Sequence, residues 1–193
     1  MAKGYAYQGL WGGLGGMGLL LALMGAGQAN VTPGGMPNAV RQVLETPTTG
    51  DVISSRHPSQ LGLTVPSLWW SVDQFGAGIV ESWQAHPVED WVGGRVDMLV
   101  SDREWARYGY FERFSLVNHL GTSASNYGYH LIIRDRRQTV LGAYICDFAA
   151  VTVPFVPNVL DSQGQAVPDF VGNRASDLVC RVWLNPNIPI SIF

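Results

Sequence analysis

Along V65-P-S-L-W-W-S-V-D-Q-F-G-A-G-I-V-E-S-W83 the large apolar residues Leu68, Val72, Phe75, Ile79 and Trp83 recur three or four positions apart. Successive helical positions diverge by about 100°, so these five form one stripe. The spacing predicts an amphipathic helix running to Ala85 and ended by His86-Pro87, with Thr64 or Ser67 as its cap and Pro66 in its first turn. Trp69 sits on the edge of the stripe, where it is expected to pack against a neighbouring helix. Trp70 lies nearly opposite the stripe, and an indole there needs cover from a loop, the chain's own tail or another protein.

The run R95-V-D-M-L-V100 reads as a short strand. S101-D-R-E104 is a capping box: Ser101 can accept the Glu104 backbone N–H while Glu104 reaches back. One helix is predicted from there through Tyr127, stopping at Gly128, which suits a left-handed cap. Its apolar residues Trp105, Tyr110, Phe114, Leu116, Val117, Leu120 and Ala124 cover nearly half the circumference, as expected of a central helix packed on a sheet and on a second element. Y129-H-L-I-I-R-D135 and T139-V-L-G-A-Y-I-C-D-F148, joined by R136-R-Q138, predict a β-hairpin, and D177-L-V-C-R-V-W-L184 a further strand. Residues 149–176, with Pro154, Pro157 and Pro168, form a connection longer than most and are expected to be functional or to hold structure of their own. This order predicts an α+β domain, a mainly antiparallel sheet packed on a long central helix and a second amphipathic helix in two layers.

Composition places the chain among folded proteins, since 47% of its 193 residues are hydrophobic and 14% charged. Lys3 is the sole lysine, which excludes a phosphate-binding Walker loop, a pyridoxal Schiff base and any lysine nucleophile further on. Beyond it stand 11 arginines against 15 acids, a balance of −4 that disfavours a nucleic-acid partner. L10-W-G-G-L-G-G-M-G-L-L-L-A-L-M-G-A26 carries no charge, and Gly27 and Ala29 are small residues at −3 and −1 of a cut after Ala29. Residues 1–29 therefore read as a signal peptide or, with glycines at four-residue spacing, a membrane anchor. Residues 30–63 read as a flexible linker with a short helical possibility over P37-N-A-V-R-Q-V-L-E45, and 64–193 as a single α+β domain. Membrane contact is expected through the N-terminal segment alone, when it is uncleaved.

Cys146 and Cys180 both fall in strand-like runs of the exported part, with a disulfide or a pair of buried thiols as the two readings; the disulfide is expected. Two cysteines offer too few ligands for a zinc site. His86, Glu89 and Asp90, with Asp97, match no metal-binding spacing, so neither a metal nor a cofactor is expected. On the long helix Glu112, Ser115, His119 and Ser123 share a polar stripe, yet Glu112 lies two turns from His119, too far to orient its imidazole, and no nucleophile elbow is present. Arg134, Arg136 and Arg137 at the hairpin tip are a candidate hold for an acidic partner or a lipid phosphate, against the plainer reading of a solvated charged turn. The tail N185-P-N-I-P-I-S-I-F193, ending in Ile190, Ile192 and Phe193, can add as a strand to a partner's sheet or pack along its own domain.

V65-P-S-L-W-W70, Q74-F75, W83, R95-V-D-M-L-V100, F111-E-R-F-S-L-V-N-H-L-G121 and Y144-I-C-D-F148 resemble a family of uncharacterised exported cyanobacterial proteins, over roughly residues 64–184. The resemblance implies placement in the periplasm, cell envelope or thylakoid lumen and carries no catalytic motif. The expected function is an exported, non-catalytic protein-binding module, an accessory or assembly factor of a membrane or envelope complex, with Trp70, His119, the three arginines, Ile190 and Phe193 as contact residues. The alternatives are a small hydrolase using His119 with Ser115 or Ser123, and a carrier of an apolar ligand.

Overall fold

The computed structural model describes residues 35–49, 51–57, 68–88, 93–150, 155–160, 166–168 and 178–188. A sheet of order β1-β2-β3-β4-β5-β8 organises them. Its strands are β1 (Ile53–Ser54), β2 (Val80–His86), β3 (Gly94–Val100), β4 (Tyr129–Arg134), β5 (Val140–Cys146) and β8 (Cys180–Leu184). All neighbours are antiparallel except β3 and β4, which run parallel and are joined by two helices, α3 (Asp102–Arg107) and α4 (Tyr110–Ser125). A parallel pair requires such a crossover, because a tight turn can only reverse the chain. The architecture is the α+β class read from the sequence, and the strands at 95–100, the hairpin and the strand ending at Leu184 stand where the patterns put them.

The 68–85 helix does not run its predicted length. Helix α2 spans Leu68–Phe75 and gives way at Gly76 to a turn and then to β2. Gly78 has φ +85°, a backbone state that a side chain disfavours. A Cβ at Gly76 would also meet the Val80 side chain, which lies against the helix end. Past the turn the chain alternates, with Trp83 and Ala85 inward and Gln84 outward, so the last part of the apolar stripe belongs to a strand.

The long helix is likewise two helices. Ser101 caps α3 as expected, accepting from the Glu104 N–H, but Tyr108 is extended and Gly109 begins α4. Glu112 Oε2 accepts the Gly109 N–H at 2.7 Å, so half of a second capping box restarts the helix only a few residues after the first. Gly128, at φ +81°, ends the segment as read.

Helices α2 and α4 cover one face of the sheet. Leu116, Val117, Leu120 and Ala124 of α4 pack with Val96, Met98, Leu131 and Ile133, and Leu68, Ile79 and Trp83 join the same core. Contact with the sheet is close at Gly121, where a Cβ would run into the Tyr144 ring. On the opposite face a short helix, α1 (Asn38–Glu45), buries Val40 and Val43 against Ile132, Val140 and Ala143. Asn38–Glu45 and Ile53–Ser54 thus fall in the stretch read as linker yet belong to the packed domain. Arg95 fixes this helix: its guanidinium donates to the Val43 and Leu44 carbonyls, orphan acceptors at a helix C-terminus.

Within 149–176, β6 (Phe155–Leu160) and β7 (Ala166–Pro168) pair antiparallel, so the long connection does hold structure of its own. Cys146 and Cys180 face each other across β5 and β8 and are joined by a disulfide. No helix among the described residues is long and apolar enough to cross a membrane; residues 1–29, read as signal or anchor, lie outside them.

Candidate functional site

The exposed surface of α2 and α4 carries an unusual number of aromatic rings. Trp69 is 45% exposed and Trp70 50%, with ring centroids 6.4 Å apart. Trp69 therefore does not pack into the core against the long helix, as its place beside the apolar stripe suggested. The faces explain this: with Leu68 and Ser71 buried, the inner side of α2 is taken, and position 69 points away from it. Phe75, read as core, is also exposed and lies flat on the His119 imidazole at 4.6 Å. At the start of α4, Tyr110 and Phe114 are exposed too, although both were assigned to the buried face, and Phe111 is 83% exposed. Tyr110 joins the other two, meeting Phe111 edge-on and stacking on Phe114. The first turn of α4 holds more aromatic bulk than its sheet-facing side accepts, since Arg113 occupies the buried position there.

The polar residues beside this surface are committed to the fold. Ser123 Oγ donates to the His119 carbonyl and meets the hydroxyl of buried Ser71, tying α4 to α2. Its partner on His119 is the backbone, not the ring. Ser115 is exposed on the outer side of α4.

The hairpin arginines do not converge. Arg134 Nε donates to Asp97 Oδ1 at 3.1 Å. Arg136 makes a two-pronged pair with Glu81, at 2.9 and 2.7 Å, which lowers the Glu81 carboxyl below its ordinary range and raises the guanidinium. Arg137 is exposed beside them. Asp135, whose carboxylate accepts the Thr139 N–H, and Gln138, at φ 66°, shape the turn that carries Arg136 and Arg137, while Arg134 and Arg136 are held by different carboxylates. Ile190 and Phe193 lie outside the described residues, as do Glu89 and Asp90.

On the α1 face of the sheet the register brings His86, Arg95, Asp97 and Arg134 together, a cluster that sequence spacing could not reveal. Asp97 accepts from Arg95 at 2.9 Å and from Arg134 at 3.1 Å, with His86 Nε2 at 3.4 Å. Burial lowers the His86 pKa, opposed by Asp97 and reinforced by Arg95 and Arg134. With both arginines on one carboxylate and Arg95 also on α1, the cluster reads as a clamp between helix and sheet. Among the described residues no group of three or more His, Cys, Asp or Glu is placed to hold a metal.

Among the described residues His130 is a buried imidazole, where His86 is only partly so. Its Nδ1 accepts the Cys146 N–H at 3.2 Å, its ring leans on Phe148, and burial pushes its pKa down to about 4. An unfolded histidine titrates near 6.5, so between about pH 6.5 and 4 the unfolded chain binds a proton that the folded chain refuses. Stability is therefore expected to fall as pH drops through that window and to stop changing on this account below it, where both states are protonated. His86, shifted in the same direction, adds to the loss. Urea midpoints measured from pH 7 to pH 4 check this: His130→Gln should flatten the profile, and an unchanged slope contradicts it.

Compared with models of known protein families, with curated proteins and with solved structures, the chain matches none.

Proposed function

We propose that this chain is an exported, non-catalytic module that binds another protein through the aromatic surface of α2 and α4, as an accessory or assembly factor of a membrane or envelope complex. One observation carries the reading: Trp69, Trp70, Phe75, Tyr110, Phe111 and Phe114 are all large apolar side chains left to solvent on two helices that share one face of the sheet. Scattered exposed residues are ordinary, whereas a concentration of Trp, Tyr and Phe is the composition of binding hot spots. Neither helix adds an exposed lysine or arginine to this surface, which argues against anionic lipid or nucleic acid as the thing bound.

Support for export comes from the uncharged N-terminal run behind Lys3 and from the disulfide, a bond suited to an oxidising compartment. The resemblance to exported cyanobacterial proteins supports the periplasm, cell envelope or thylakoid lumen as that compartment. Against the hydrolase alternative stands the setting of His119, its ring on Phe75 and its neighbour Ser123 bonded elsewhere. The test is purification of tagged protein from the native membrane fraction beside a Trp70→Ser, Phe111→Ser variant at equal abundance. Wild type should bring down a defined partner and the variant at least tenfold less; equal recovery would overturn the assignment of the surface.

A further inference from the structure

Helix α1 has little of its own to hold it. It is eight residues long, Pro37 at its N-cap makes no side-chain bond, and its first turn carries no acid and its last turn no base. A helix so short is not stable by itself in water. Val40 and Val43 bury against Ile132, Val140 and Ala143, and the carbonyls of Val43 and Leu44 are held by one guanidinium, that of Arg95. Arg95 in turn is fixed through its Nε by Asp97 Oδ2, the same oxygen that faces His86 Nε2. We propose that this shared oxygen makes an acid-operated release: protonated His86 takes Asp97 Oδ2 from Arg95, and α1 leaves the sheet.

Geometry and charge support this together. Asp97 Oδ1 is occupied by Arg134 Nε at 3.1 Å, so the carboxylate has no second oxygen to offer. Arg95 Nε stands 2.9 Å from Oδ2 and His86 Nε2 3.4 Å, so a neutral imidazole lies beside the pair without displacing it. A proton on His86 makes it the third cation around one carboxylate, and Arg95 is the one that yields, because it shares the contested oxygen. The charged groups that face His86 are Asp97 and Arg95 on β3 and Arg134 on β4; Arg41 and Glu45 of α1 and Asp51 before β1 are exposed to solvent. Burial and the two arginines oppose the imidazolium, and Asp97 favours it, with the balance downward. An imidazole in open solvent titrates near 6.5, so acid below that value penalises the docked state and favours the released one. Release would uncover Ile132, Val140 and Ala143 and add slack to the chain before β1.

The test is hydrogen exchange of the full chain at about pH 7.5 and about pH 5, corrected for the intrinsic rate, comparing the α1 amides from Arg41 to Thr46 with those of β3 and β4. In wild type, protection of α1 should fall about tenfold or more at the lower pH while β3 and β4 stay protected, since one proton taken up on release gives up to about tenfold per pH unit. His86→Gln, which cannot take the proton, should keep α1 protected at both values. His130→Gln, which removes a different buried imidazole, should leave the fall in place. Arg95→Met should lose α1 protection already at the higher pH; a failure of that variant to fold leaves the decision to His86→Gln. Protection of α1 that ignores pH, a fall undiminished in His86→Gln or absent from His130→Gln, full protection in Arg95→Met, or a loss shared equally by β3 and β4 overturns the release.

Discussion

Trp83→Ala is expected to destabilise the domain by about 3–5 kcal/mol, the range for truncating a large buried aromatic, while Trp69→Ala and Trp70→Ala each cost under about 1 kcal/mol, as exposed positions do. The contrast follows from the turn at Gly76–Gly78. It moves Trp83 from helix to strand β2, where it is 4% exposed and sits in the core with Met98 beside it in register. The same turn ends α2 so early that its two remaining tryptophans are not drawn under any other part of the described fold. Urea unfolding of the three variants measures all of this at once. A loss at Trp69 as large as at Trp83 would mean that the helix continues and buries its edge, and the described break would be wrong.

Removing the disulfide is the second large effect. Cys146 and Cys180 close a loop of 34 residues, for which lost chain entropy in the unfolded state corresponds to about 3–4 kcal/mol. Strand β8 depends on this bridge more than an inner strand would, since among the described strands β5 is its only neighbour in the sheet order. Cys146→Ala with Cys180→Ala should therefore lower the urea midpoint without abolishing the fold, because Val182 and Leu184 still pack against the core. Alkylation without reductant should leave both cysteines of the native protein unlabelled. Two labelled cysteines, or a double variant as stable as the parent, would contradict the bridge.

These results bear on what a sequence of this kind discloses. Strands β3, β4, β5 and β8 were legible because each is a compact apolar run bounded by polar turn residues, and the cysteine pair because both members lay inside such runs. The α2–β2 boundary was not. Leu68, Val72, Phe75, Ile79 and Trp83 fit a helical period by coincidence of two elements, and the contrary signal was the short G76-A-G78, whose effect on backbone outweighs periodicity. Gly109 followed by Glu112 was a second such signal inside the long helix. The sites fared differently according to range. Paired tryptophans on one turn could be seen as a local oddity. Asp97 with His86, Arg95 and Arg134 could not, nor Arg136 with Glu81 at a separation of 55, because both depend on which strands are neighbours and in what register. The exposure of Phe111 and Phe114 went unread because Arg113, a charged residue, takes the buried position in the first turns of α4.

If the outer surface of α2 and α4 meets a protein partner, that partner lies within reach of Phe111, its most exposed ring, and crosslinking from this position detects it. A photoreactive phenylalanine analogue placed at 111 in the native host should give a discrete adduct with a second protein on irradiation, diminished when Trp70 is serine. The same analogue at Arg137 on the hairpin tip should give none. Irradiation that yields no adduct at 111 beyond that at 137 would contradict the account.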